Sequence, residues 1–140
     1  MKIIEKSILL TFDEIRILLY SMNVSEIEGV YMPEKIFQEE EILAAMHHMS
    51  TIGIIVAEKE RFRIREDVKR ILEIMAVPEW TKVWYPSEEE GPAFFLYGKE
   101  ELTVVSEQYF RKKDTLKLTI FAKDAFEKWR EELMNDYRRS

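Results

Sequence analysis

The sequence predicts a mixed α+β fold in a single domain: a winged-helix-like helical half, an antiparallel β-meander and an amphipathic C-terminal helix. Apolar residues recur at helical spacing up to about residue 76, and from residue 80 their period changes to two. The chain has 140 residues, of which 46% are hydrophobic and 34% charged, and this balance is typical of one globular domain. Residues 77–79 are a candidate seam between two subdomains.

The N-terminal elements are predicted from apolar content and capping signals. Residues 3–10 are rich in Ile and Leu, which favours a strand or an extended lead-in. Thr11 and Glu14 have the spacing of a capping box, and the apolar steps that follow predict a helix over 12–22. Residues 23–38 predict a loop with one short helical turn.

A second helix, a hairpin and a third helix are predicted next. Residues 39–52 have an acidic first turn and an apolar stripe, and Gly53 is suited to the C-cap. Residues 54–57 and 61–64 are β-prone runs whose three-residue connection suits a hairpin. Helical spacing returns over 65–76 and ends before Pro78, which cannot continue a helix.

The second half predicts a meander closed by a helix. Four short runs with strand character are separated by turn-like segments: residues 81–85, 93–97, 101–106 and 115–121. Apolar residues three and four apart then predict a helix over 123–137, and its apolar face should cover the meander.

Charge and cysteine content exclude several classes of function. Cysteine is absent, so disulfides, thiolate nucleophiles and cysteine-ligated metals are excluded. The N-terminal apolar run is interrupted early by Glu5 and Lys6, which predicts a cytoplasmic protein without a membrane segment. The net charge of −6 works against nucleic-acid binding. Three short basic groups could act locally: Arg61 with Arg63 and Arg65, residues 111–113, and residues 138–139.

The helix–hairpin–helix order is also that of a winged-helix motif, which makes a DNA-binding transcriptional regulator the alternative hypothesis. Arg61, Arg63 and Arg65 would contact DNA from the wing. The helix that would enter the groove begins with three glutamates at 39–41, however, and these would repel phosphate. We therefore predict that nucleic acid is not the partner.

No catalytic, cofactor or metal site is predicted. His47 and His48 are adjacent on a helix and do not face one another, which disfavours metal binding. Residues 88–90 are three consecutive glutamates beside prolines, and a solvated turn explains them better than a carboxylate pair does. The four glycines are isolated and cannot form a phosphate-binding loop.

Aromatic residues are concentrated at the start of the meander. Six of them fall within 18 positions: Trp80, Trp84, Tyr85, Phe94, Phe95 and Tyr97. Alternation along a strand sends some to each face of the sheet. Either one face exposes aromatic surface to a partner, or a second layer such as the N-terminal helices covers it.

Three segments resemble one family. The chain has Thr-Phe-Asp-Glu-Ile-Arg-Ile-Leu-Leu at 11–19, an acidic-capped helix that ends in Ile-Gly-Ile-Ile at 52–55, and Met-Ala-Val-Pro at 75–78 before a strand-rich half. This order resembles the EspG-type chaperones of type VII secretion. Those proteins are longer and contain two related halves, so the resemblance implies that a homodimer supplies the second half. It further implies a cytosolic, non-enzymatic protein that shields an apolar, helical part of a secretion substrate.

The sequence thus predicts a non-enzymatic, protein-binding adaptor or chaperone-like module. The residues expected to contact the partner are Trp84, Tyr85, Phe94, Phe95 and Tyr97. Rim charge would select among partners while buried apolar area would supply the affinity. A small-molecule sensor with an aromatic pocket is a third alternative.

Overall fold

The computed structural model describes residues 5–30, 36–86 and 93–139. Seven strands and four helices occur in these residues, in the order β1 (Glu5–Thr11), α1 (Phe12–Ser21), α2 (Glu39–Thr51), β2 (Ile55–Glu58), β3 (Arg61–Ile64), α3 (Glu66–Ala76), β4 (Trp80–Trp84), β5 (Phe94–Lys99), β6 (Leu102–Gln108), β7 (Thr115–Ala122) and α4 (Lys123–Arg139). The predicted α+β class is confirmed. None of the helices in the described residues has both the length and the apolar composition needed to cross a bilayer.

Five strands form one antiparallel sheet in the order β1-β7-β6-β5-β4. The predicted four-stranded meander makes up β4 to β7, and each strand lies within three residues of its predicted bounds. The fifth strand is β1, which pairs with β7 from Glu5 opposite Phe121 to Thr11 opposite Thr115. The N-terminal segment, expected as a strand or an extended lead-in, is therefore an edge strand of the sheet.

Local signals position the helical half. The Thr11 hydroxyl accepts a hydrogen bond from the Glu14 amide, and the Glu14 carboxylate accepts one from the Thr11 amide, both at 3.0 Å. The predicted capping box is thus confirmed. Gly53 has a φ of +79° just after α2, a conformation that L side chains rarely adopt. The connection between β2 and β3 is two residues long, one fewer than predicted, because Glu58 belongs to β2.

The sheet is covered on both faces. Its register places Tyr97, Val104 and Ile120 on one face, where they join a core cluster built from α1, α2 and α3. Leu96, Val105 and Phe121 lie on the other face, beneath α4. The predicted cover of the meander by the C-terminal helix is confirmed.

Candidate functional site

The aromatic residues predicted to contact a partner are divided between the two faces of the sheet. Trp84 and Phe94 face α4, where the Trp129 ring lies 5.7 Å and 5.5 Å from theirs, measured between ring centroids. Phe94 is only 4% exposed. These rings form the core beneath α4, so Phe94 offers no contact area to a partner in this fold.

Phe95 and Tyr97 face the helical half, with their ring centroids 4.9 Å apart. Gly29 lies so close to Phe95 that a Cβ at position 29 would overlap the ring. The Tyr97 hydroxyl donates a hydrogen bond to the Glu28 carbonyl oxygen, and Tyr97 is fully buried. Burial, and secondarily the nearby Glu28 carboxylate, raises the pKa of Tyr97 well above its ordinary value.

The expectation of an open aromatic sheet face therefore has to be corrected for Phe94 and Tyr97. A second layer covers each face, α4 on one side and the helical half with residues 24–30 on the other. Of the five predicted contact residues, Tyr85 alone is largely exposed, at 61%. A single exposed ring does not form an apolar patch.

The three arginines predicted to contact DNA lie in different environments, two on β3 and Arg65 at the N-cap of α3. Arg63 Nε donates to a Glu58 carboxylate oxygen at 2.7 Å, and Arg65 donates to both carboxylate oxygens of Asp67 at 2.6 and 3.1 Å. Arg61 forms no ion pair with any of the described residues. Two of the three cations are thus neutralised by neighbouring carboxylates, which weakens the argument that this hairpin binds phosphate.

A different surface is apolar and open. A groove of about 600 Å³ lies between α1, α2 and the β2–β3 hairpin, and we call it the α1–α2 groove. Its apolar lining consists of Ile17, Tyr20, Ile36, Phe37, Ile42, Met46 and Phe62. Tyr20 is 83% exposed and Ile36 is 88% exposed. Large apolar side chains that are contiguous and exposed usually mark a contact surface.

Helix α1 is apolar on two sides, and this feature creates the groove. Ile15, Leu18 and Leu19 are buried against the core, whereas Tyr20 lines the groove and Ile17 both lines it and packs against the edge of the core. An amphipathic helix that only covers a core needs one apolar stripe. The second stripe can be read from the sequence. Only the structure shows that the other described elements leave it open.

A buried carboxylate holds the two walls of the groove together. Glu14 on α1 is 4% exposed, and its Oε2 lies 2.6 Å from Nδ1 of His48 on α2. The other oxygen of Glu14 serves the capping box described above. One side chain therefore fixes both the start of α1 and its position against α2.

The end of the groove near the start of α2 is acidic. Ile36 and Phe37 line the groove before α2 begins, and Ile42 lines it one turn into the helix. Residues 39–41 connect these positions in the chain and are three exposed glutamates, although none of them lines the groove itself. The wall also contains a cation, because the Arg16 guanidinium lies 5.9 Å from the centroid of the Phe37 ring.

The sequence offered two further candidates, His47 with His48 for a metal and residues 88–90 for carboxylate chemistry. His47 and His48 are exposed on α2, and the part of the chain that the structure describes contains no group of three or more His, Cys, Asp or Glu residues that could hold a metal ion. Residues 88–90, considered above as a carboxylate cluster, lie outside the described residues.

Comparison with known proteins does not identify a relative. Neither the protein-family models nor the curated proteins gave a match. The resemblance to EspG-type chaperones therefore stays a prediction from the sequence, and the geometry of the groove is the basis for a functional proposal.

Proposed function

We propose that this chain is a non-enzymatic, protein-binding adaptor or chaperone-like module that holds its partner in the α1–α2 groove. The observation that carries the proposal is the exposure of Tyr20 and Ile36 beside the other apolar residues of one continuous groove. Leaving these side chains in water is unfavourable, since burying a large aliphatic or aromatic side chain contributes roughly 1.5–3 kcal/mol. The proposed contact surface therefore moves from the aromatic sheet face to the helical half.

The shape of the groove suits an amphipathic segment. Ile17 and Tyr20 are three residues apart on one wall, and Ile42 and Met46 are four apart on the other. Residues at these steps lie on one face of a helix, so each wall presents a row of apolar side chains. A partner helix that places its apolar face between two such rows is a recurring mode of peptide recognition.

The resemblance to EspG-type chaperones gives the proposal a more specific form. In that form, the partner is an apolar, helical part of a secretion substrate, and the module shields this part before export. The two statements are separable, because the groove supports an adaptor for any amphipathic segment.

The test is co-purification of a tagged chain from the cells that make it, at low and high salt, with mass spectrometry of what is retained. We compare the native chain with Tyr20→Glu/Ile36→Glu, in which two exposed apolar side chains of the groove are replaced by carboxylates. The matched control is Tyr85→Glu, which changes an exposed aromatic side chain outside the groove in the same way.

The proposal predicts a stoichiometric protein that survives high salt, is retained by Tyr85→Glu and is lost from the groove variant. Survival in salt is expected because burial of apolar area is not screened, unlike ion pairing at a surface. Loss of the partner from the control alone would return the site to the sheet side of the molecule. Capture of nucleic acid that high salt releases would instead support the winged-helix regulator.

A further inference from the structure

The turn between β6 and β7 presents an exposed aromatic ring in a basic setting. Phe110 is 84% exposed, and the guanidinium of Arg111 lies 5.2 Å from the centroid of its ring. Lys112 and Lys113 follow and are exposed. We call residues 110–113 the basic tip. None of its three cations forms an ion pair within the described parts of the chain.

The basic tip is an ordered part of the fold. The Tyr109 amide donates to the Thr115 carbonyl oxygen at 2.9 Å, and the Thr115 hydroxyl donates to the Lys113 carbonyl oxygen at 3.2 Å. The Phe12 amide donates to the Asp114 carbonyl oxygen at 3.0 Å. These bonds fix the turn beside the start of α1, so its exposed ring is presented from a rigid base.

The basic tip and the α1–α2 groove are complementary. The tip has one exposed apolar ring next to three cations, whereas the groove is apolar and three exposed glutamates lie in the chain between its lining residues Phe37 and Ile42. Arg16 in the groove wall reduces this contrast but is a single charge. Burial of an apolar anchor combined with opposite rim charges is the usual composition of a specific protein contact.

The two surfaces are both connected to α1. The tip is attached at Phe12, and Ile17 lines the groove five residues further along α1, a rise of about 8 Å. Since Phe110 is exposed, it does not fill the groove of its own chain. A tip and a groove this close together allow two copies to exchange them reciprocally, as a two-fold symmetric dimer requires.

We propose that a second copy of this chain occupies the α1–α2 groove, with Phe110 of each protomer inserted into the groove of the other and residues 111–113 facing the glutamates at 39–41. This proposal rests on the proposed function only because both use the α1–α2 groove. The second copy covers the groove until a partner replaces it. Such a dimer is weak and reversible, because it depends on one anchor from each protomer.

The test measures the molar mass of the full chain by sedimentation velocity over a range of concentrations, with two charge-reversed variants. Lys112→Glu/Lys113→Glu reverses the tip, and Glu39→Lys/Glu40→Lys reverses the rim. All four side chains are exposed, so neither change disturbs the core, and the two lysines in the first turn of α2 weaken that helix only slightly. Glu41 is left unchanged because its carboxylate accepts a hydrogen bond from the Gln38 amide.

Each variant alone should be monomeric, since its tip and its groove rim then carry the same sign. Mixed in equal amounts, the two should form a heterodimer, because an acidic tip then meets a basic rim and a basic tip meets an acidic rim. Phe110→Ala should weaken the native dimer at least tenfold. Raising the salt from about 0.1 M to about 1 M should weaken it as well, because screening shortens to about 3 Å.

The matched control is Lys123→Glu/Lys128→Glu, which makes the same change in net charge with two exposed residues of α4 and should leave the dimer unchanged. A native chain that is monomeric at all concentrations overturns the proposal. It is equally overturned by a dimer that survives both reversals, or by assembly beyond two copies. The adaptor proposal is tested separately, by whether Tyr20→Glu/Ile36→Glu loses the protein that co-purifies with the native chain. The adaptor proposal can therefore stand when the dimer proposal fails.

Discussion

The two faces of the five-stranded sheet are covered in different ways. On one face, β1 and the helices α1, α2 and α3 contribute to a large cluster of mainly aliphatic side chains. On the other, α4 covers a smaller cluster rich in aromatic rings. The elements that cover the first face come from distant parts of the sequence. The second face is covered by one helix, α4, which follows β7 directly.

The contrast between the two faces shows that aromatic content does not identify an exposed face. A single helix reaches only part of a sheet, so its few contacts must each bury a large area, and aromatic side chains do so. Trp129 meets Trp84, Phe94, Phe121 and Phe126 within about 6 Å between ring centroids. The helical half covers its face with many smaller contacts and leaves one side of α1 free for the groove.

The largest effect is expected in the aliphatic cluster. Leu72 on α3 is fully buried, and Leu72→Ala should lower the free energy of unfolding by about 2–5 kcal/mol, because the substitution leaves a cavity among elements that cannot all move in. Urea unfolding of the variant measures this effect. The control Val77→Ala changes an exposed side chain next to α3 and should cost far less. Equal losses in the two variants would contradict the assignment of the main core to this face.

A smaller and more local effect is expected beneath α4. Trp129 is half-buried, so Trp129→Ala should cost about 2–3 kcal/mol. Since α4 packs mainly on this cluster among the described residues, amide hydrogen exchange should accelerate more in α4 than in α3. Glu131→Ala, an exposed change on the same helix, is the control. Equal acceleration in both helices would show that the two faces open as one unit.

Most of the fold could be predicted because its signals are local. Capping residues, the change of apolar period and the turn segments each act over a few residues, and they located all four helices and the meander. The role of β1 as an edge strand was less predictable. Its pairing with β7 joins Ser7 to Thr119, whose hydroxyls lie 2.9 Å apart, and no local pattern encodes a partner so distant in sequence.

The candidate site was less predictable because exposure is a property of the whole fold. Phe94 and Tyr97 belong to one aromatic run in the sequence, yet each is covered by an element far from it along the chain. Conversely, Tyr20 resembles an ordinary helix-core residue in the sequence, and only the structure shows that it is exposed and that the core lies on the other side of α1. The sequence contained both apolar sets without indicating which one is covered.

A polar contact also distinguishes the two faces. The Tyr97 hydroxyl fastens residues 24–30 to the sheet by its bond to the Glu28 carbonyl, and the aromatic cluster beneath α4 is held by ring contacts. Tyr97→Phe should lower the free energy of unfolding by about 1 kcal/mol, since the freed carbonyl can turn to water. The control Tyr85→Phe removes an exposed hydroxyl and should have little effect. If Tyr85→Phe lowered the free energy of unfolding as much as Tyr97→Phe does, the hydrogen bond of Tyr97 to the Glu28 carbonyl would not be what stabilises this face.

The smallest effect concerns a carboxylate on the α4 side of the sheet. Burial raises the pKa of Glu107 above its ordinary value of 4.5, and Lys117, its neighbour on β7, lowers it only in part. A raised pKa means that the folded state disfavours the charged form. The contribution of Glu107 to stability is therefore full below pH 4.5 and is lost as the pH rises through the raised value.

Glu107→Gln removes this loss, so in urea unfolding the stability of the variant relative to the native chain should increase as the pH rises above 4.5. Lys117→Gln should have the opposite effect and enlarge the loss of stability with rising pH. The reason is that Lys117, which partly offsets the effect of burial on the pKa of Glu107, is then absent. If Glu107→Gln differed from the native chain by the same amount at every pH, the carboxylate would not be held in a desolvated position. The α4 side would then be more open to water at β6 than the packing of its aromatic cluster indicates.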